Sequence, residues 1–98
     1  MEIRKNKEGN SLEMAVEGRL DTMTAPVFES EIAKSLDGIT SLVLDFAKLE
    51  YVSSAGLRVI LAAQKAMNKQ GKMSIRNVND EIMDVFEITG FSDILTIE

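Results

Sequence analysis

The spacing of apolar residues along this chain switches repeatedly between the period of two that marks a strand and the three-to-four-residue spacing that marks a helix. Residues 1 to 6 carry little hydrophobicity beyond Met1 and Ile3, and Asn6-Lys7-Glu8-Gly9-Asn10 is rich in turn formers, so a short edge strand and a loop are expected. Leu12, Met14 and Val16 then alternate with Glu13, Ala15 and Glu17, the pattern of a half-buried strand that ends near Gly18 to Leu20. Thr22 and Thr24 are candidate N-caps and Pro26 suits a first turn. Ala25, Phe28, Ile32 and Leu36 recur at helical spacing until Gly38, predicting a helix of about 13 residues.

The segment from Ser41 to Gln70 is the centre of the pattern. Leu42-Val43-Leu44-Asp45-Phe46 is an almost unbroken apolar run too short for a helix, which reads as a strand covered on both faces of a sheet. From about Ala55 to Gln70 the apolar residues Leu57, Ile60, Leu61, Ala62 and Met67 fall largely on one side of a helix. Arg58, Lys65, Asn68 and Lys69 take the other, and Gly71 supplies the stop. Between strand and helix lies Tyr51-Val52-Ser53-Ser54-Ala55-Gly56, where two hydroxyls precede small residues that leave the backbone open to a partner. Lys72 to Val78 alternates again as a strand. Asn79 or Asp80 can cap a third helix with Ile82, Val85, Phe86 and Thr89 on one face, stopped by Gly90 with Phe91 as an apolar clasp, and Ile94, Leu95 and Ile97 are expected to close the chain as a short strand. Strands alternating with helices imply parallel pairing through right-handed crossovers, with the N-terminal strand antiparallel at the edge. The expected fold is α/β, with a mostly parallel sheet of four or five strands wound sequentially and three main helices.

Length leaves room for one domain, residues 1 to 98, and the balance of 45% hydrophobic and 28% charged residues is that of an ordinary globular chain. The net charge of -5 argues against direct nucleic-acid binding, which depends on Lys and Arg that displace counterions from phosphates. No apolar run approaches the length of a membrane span and no cysteine is present, so no membrane association and a cytoplasmic location are expected. Without His or Cys the chain lacks the usual base, the thiolate nucleophile and the common metal ligands, and neither a P-loop nor a dinucleotide-binding glycine pattern occurs. The expectation is a protein that is not an enzyme and uses no cofactor and no metal.

Three short motifs add specificity. Asp45-Phe46-Ala47-Lys48-Leu49-Glu50-Tyr51-Val52-Ser53-Ser54-Ala55-Gly56-Leu57 resembles the signature of the STAS domain, the anti-sigma factor antagonist family. That signature is a buried strand, a short loop, and an Asp/Ser-Ser-small-Gly-Leu run opening a helix. Gly18-Arg19-Leu20-Asp21 is similar to the family's Gly-x-Leu-Asp before its first helix, and Val85-Phe86-x-x-Thr89-Gly90-Phe91 to its motif after the last. The resemblance implies the same fold. It implies an anti-sigma factor antagonist whose unphosphorylated form binds an anti-sigma factor that is also a serine kinase, so releasing a sigma factor. Phosphorylation of Ser54 ends the interaction and a PP2C-type serine phosphatase restores it.

Read from the residues alone, Ser54 is a helix N-cap, Asp21 a cap or turn former, and Gly56 a point of close approach, of helix to sheet or of partner to backbone. The resemblance makes Ser54 the phosphoacceptor and places Asp21, Ser53, Ala55 and Gly56 in the partner-binding surface. Ser53 stands where many members of the family have Asp, and it could compete as acceptor. Two other readings share this sequence: a STAS module in a different partner-switching, secretion or lipid-transport complex, and a small-molecule or nucleotide binder using the same rim.

Overall fold

The computed structural model describes all 98 residues. The elements are β1 (Glu2–Glu8), β2 (Ser11–Leu20), α1 (Ala25–Ser35), β3 (Ser41–Asp45), β4 (Leu49–Val52), α2 (Ser54–Asn68), β5 (Lys72–Arg76) and α3 (Asp80–Thr89), followed by a single 3₁₀ turn, Phe91–Asp93. β1 and β2 form an antiparallel hairpin in which Glu8 pairs with Ser11, and Gly9 at φ +61° gives the two-residue turn the positive φ it requires. β2, β3 and β5 are parallel neighbours in that order. The mostly parallel sheet with an antiparallel edge and three helices is the architecture expected from the sequence.

β2 is the strand on which the site depends. Its first half, Ser11 to Ala15, pairs with β3; the register then shifts between Gly18 and Arg19, and Gly18 to Leu20 pair with β4. Gly18, at φ +98°, donates its N–H to the Lys48 carbonyl at 2.9 Å. This bulge hands the end of β2 from one partner strand to another.

Leu12, Met14, Val16 and Leu20 of β2, Leu42 and Leu44 of β3, Phe46, and Met73 and Ile75 of β5 are buried together with Phe28 and Ile32 of α1, Ile60 and Met67 of α2 and Ile82 and Phe86 of α3. The alternate positions include most of the sheet's charged residues, among them Glu13, Glu17, Asp45 and Arg76. On that opposite face Arg4 meets Glu17 at 3.2 Å and Arg76 bonds Glu13 across β3.

Four expectations change. β3 is not covered on both faces, since Leu42 and Leu44 are buried while Val43 and Asp45 are only half-buried. A Val at a solvent-side position made an ordinary one-sided strand look continuous. The segment Ile94 to Ile97 is not a strand: after the 3₁₀ turn it makes one parallel bridge, Ile75 to Ile97, anchored by the Ile75 N–H on the Thr96 carbonyl at 2.9 Å. The fifth strand is Leu49–Val52, inside the stretch read as a loop, because its pattern of buried ends and exposed centre has no period of two. Finally, α1 spans 11 residues, and Thr24 at its N-cap position makes no side-chain cap bond.

Gly71 owes its place to a close approach. A Cβ there would lie 1.9 Å from the Thr40 carbonyl oxygen, and the Lys72 N–H bonds that same oxygen at 3.0 Å. Gln70 secures the contact by donating to the carbonyls of Leu36 and Ile39, both at 2.6 Å.

Candidate functional site

β4 ends at Val52 and α2 begins at Ser54, so the connection is one residue, Ser53. Ser53 has extended backbone (φ -95°, ψ 175°), and its Oγ accepts the Gly56 N–H at 3.3 Å while its carbonyl accepts the Leu57 N–H at 2.9 Å. This is N-cap geometry, which corrects the reading of Ser54 as the cap. Ser54 is instead the first helical residue and is exposed, its hydroxyl free of capping. Ser53, half-buried and engaged, is the less available of the two.

The neighbouring rim comes from β2. Arg19 pairs with Tyr51 and Leu20 with Val52, and the Ser53 N–H then donates to the Leu20 carbonyl at 2.8 Å. The loop at Asp21 therefore lies directly beside the Ser53–Ser54 corner, as parallel strands ending on one rim require. Asp21 closes its loop by accepting the N–H groups of Met23 at 3.0 Å and Thr24 at 3.1 Å. The Thr24 hydroxyl accepts the Asp21 N–H at 2.9 Å and donates to the Arg19 carbonyl at 2.8 Å, which occupies the group that would otherwise cap α1. The Asp21 carboxyl is held below the usual carboxylate range, first by the Thr24 N–H and then, against some desolvation, by the Met23 N–H, the Thr24 hydroxyl and the Arg19 charge.

Of the residues expected in the partner surface, Asp21, Ser53, Ala55 and Gly56 all meet at this corner, but they face differently. Asp21 and Ala55 are half-buried, while Gly56 is buried, and a Cβ on it would lie 2.7 Å from Leu20 Cγ and 3.0 Å from Val52 Cγ2. Of the two close approaches open to Gly56 from sequence, the one present is helix to sheet.

Sequence reasoning passed over the apolar part of the same surroundings. Met23 is 83% exposed, Val27 52% and Tyr51 42%, and the Arg19 guanidinium lies 4.2 Å from the Tyr51 ring centroid. Met23 and Val27 carried a signal, since both fall off the Ala25, Phe28, Ile32, Leu36 repeat that marks the buried face of α1. Tyr51 could be placed opposite Arg19 only once β4 was known to be a strand. No three His, Cys, Asp or Glu side chains gather closely enough to hold a metal ion, and no helix is long and apolar enough to cross a membrane.

The STAS domain model matches residues 2–98. BtrV of Bordetella bronchiseptica is 33% identical over 99 residues, spanning 99% of this chain and 85% of that one. The anti-sigma-B factor antagonist of Listeria monocytogenes is 31% identical over 97 residues, spanning 96% and 84%. Among solved structures, the anti-sigma factor antagonist SpoIIAA superposes with a TM-score of 0.85 in its unphosphorylated form and 0.77 in its phosphorylated form. Identity is 15% in both, and the match covers 99% of this chain with 88% and 91% of theirs. Fold, motif order and family match agree from the first strand to the last residue, and the chain belongs to the STAS domain family.

Proposed function

We propose that this chain is an anti-sigma factor antagonist switched by phosphorylation of Ser54. Its unphosphorylated form docks the rim formed by Asp21, Ser53, Ser54 and Ala55, seated on the sheet through Gly56, on an anti-sigma factor that is also a serine kinase, and the sigma factor held there is released. The observation that carries the reading is the division of labour at the corner: Ser53 caps α2, which leaves the Ser54 hydroxyl exposed and uncommitted. Membership of the STAS family and the names of its relatives support it.

The chemistry asked of this chain is that of a substrate. Ser54 Oγ attacks the γ-phosphorus of ATP held by the kinase, the bond from that phosphorus to the ADP oxygen breaks, and the hydroxyl proton passes to the kinase's base. The product adds about 1.5 to 2 negative charges at neutral pH where a small neutral hydroxyl stood. First-turn N–H groups and the positive end of the α2 dipole tolerate the anion, so the fold persists and the change falls on the partner contact. A mismatch of about 3 kcal/mol weakens docking roughly a hundredfold, enough for a switch. A PP2C-type phosphatase hydrolyses the ester and resets it. In this scheme the protein is cytoplasmic, catalyses nothing itself, and touches neither nucleic acid nor membrane.

Incubation with serine kinases of the same genome and ATP, followed by mass mapping, tests the assignment. Ser54→Ala abolishes modification and retains partner binding, whereas Ser54→Asp weakens binding. Modification confined to Ser53 would overturn the residue assignment.

A further inference from the structure

The chain has four arginines, and three are committed to carboxylates: Arg4 to Glu17 at 3.2 Å, Arg19 to Asp21 at 3.8 Å, and Arg76 to Glu13. The fourth, Arg58, is exposed and takes part in none of the ion pairs of the fold. Nor has it an acidic neighbour on its own helix, since α2 contains no Asp or Glu between Ser54 and Asn68. Its position is what makes it notable. Arg58 lies four residues after Ser54 in continuous α-helix, so the two Cβ atoms are about 5 to 6 Å apart on one face. Helical side chains lean toward the N-terminus, which carries the Arg58 guanidinium over the turn that Ser54 occupies.

We propose that Arg58 is the internal partner of the phosphoryl group on Ser54, closing on it with two parallel N–H donors once Ser54 is modified. The proposal rests on Ser54 being the phosphoacceptor and adds a second action to phosphorylation. Besides bringing in an anion, modification engages the one arginine that no carboxylate holds, one helical turn from the docking rim. A guanidinium fork matches phosphate oxygens in a way that a lysine ammonium does not, so the contact is specific to Arg. Arg19, on the strand beside the corner, is held by Asp21 and the Tyr51 ring and is the cation that stays where it is.

The test uses protein carrying phosphoserine at position 54 incorporated during translation, so that no kinase is needed, and follows the ³¹P chemical shift against pH. Because a nearby cation favours the dianion, Arg58→Ala raises the phosphate midpoint by roughly 0.15 to 0.4 of a pH unit relative to the parent, and Arg58→Lys restores part of the difference. Arg19→Ala leaves the midpoint in place. Arg58 is exposed, so these variants keep the core, and thermal melts of each confirm equal folding. Equal midpoints for the parent and Arg58→Ala, or a shift produced by Arg19→Ala instead, would overturn the proposal. Since the phosphoryl group is installed without the kinase, a mapping result that moved the natural acceptor away from Ser54 would be seen separately from the failure of this contact.

Discussion

Ser53 and Ser54 carry the same side chain, and the turn into α2 separates their roles. The Ser53 hydroxyl satisfies the Gly56 N–H, whereas the Ser54 hydroxyl stands exposed on the first helical residue. Loss of a serine cap costs about 1 kcal/mol, while an exposed substitution away from such a feature stays within about 0.5 kcal/mol. Urea denaturation should therefore find Ser53→Ala destabilised by about 1 kcal/mol and Ser54→Ala close to the parent. The reverse order would return the cap to Ser54. Asp45 offers a second measurement at this scale. Its carboxyl lies below the usual carboxylate range, held first by the Asn77 side-chain amide and, against some desolvation, by the Ala47 N–H and the Arg76 charge. A depressed folded value means that the unfolded chain binds the proton first. The stabilisation is complete above the ordinary carboxylate range near pH 4 and is lost as pH falls through it and below. Asp21 adds to the same acid limb in the same direction. In stability curves against pH, Asp45→Asn, which retains an acceptor and cannot titrate, should flatten that limb.

At the scale of elements, the site is set by how closely α2 lies on the ends of β2 and β4. Gly56 permits that contact with Leu20 and Val52 at the start of the helix, and Gly71 permits the turn after it to lie against Thr40. Overpacking of this kind typically costs about 1 to 3 kcal/mol. Gly71→Ala, whose added carbon meets backbone at 1.9 Å, should cost at least as much as Gly56→Ala, whose added carbon meets side chains that can shift. Denaturant midpoints decide the order. Only Gly56→Ala should also weaken partner binding, because it moves the first turn of α2. Much at this level was legible from sequence. The hairpin, the three helices, the Asn79 cap that accepts the Ile82 N–H at 2.9 Å, and the Gly90 stop at φ +81° all follow from local residue choice. β4 was not legible, because four residues with two exposed in the middle have no periodicity, and they become a strand only through pairing with β2 beyond its bulge. The C-terminal segment failed in the opposite way: its alternating apolar residues fill the core edge through Leu95 and make a single bridge at Ile97.

For the whole molecule, a switch that acts on a partner contact should leave the fold as it was. Ser54 lies outside the cluster of 24 buried residues, and its modification removes no core contact. For a domain of this length, 1 kcal/mol corresponds to about 4 to 8 °C in Tm, so the phosphorylated and unphosphorylated forms should melt within about 4 °C of each other while differing roughly a hundredfold in partner affinity. A larger thermal shift would place the switch inside the fold and away from the docking rim.

Sequence by itself determined the class of fold, the edge hairpin, the three helices and the residues that meet at the corner, because periodicity, turn chemistry and short motifs are local properties. It also brought Asp21 beside Ser53, since parallel strands deliver their ends to one rim. Which serine caps the helix, which face of β3 meets solvent, where the fifth strand runs and which arginine remains unpaired were decided only in three dimensions. Those outcomes depend on how residues distant in the chain compete for the same hydrogen bonds, burial and charge.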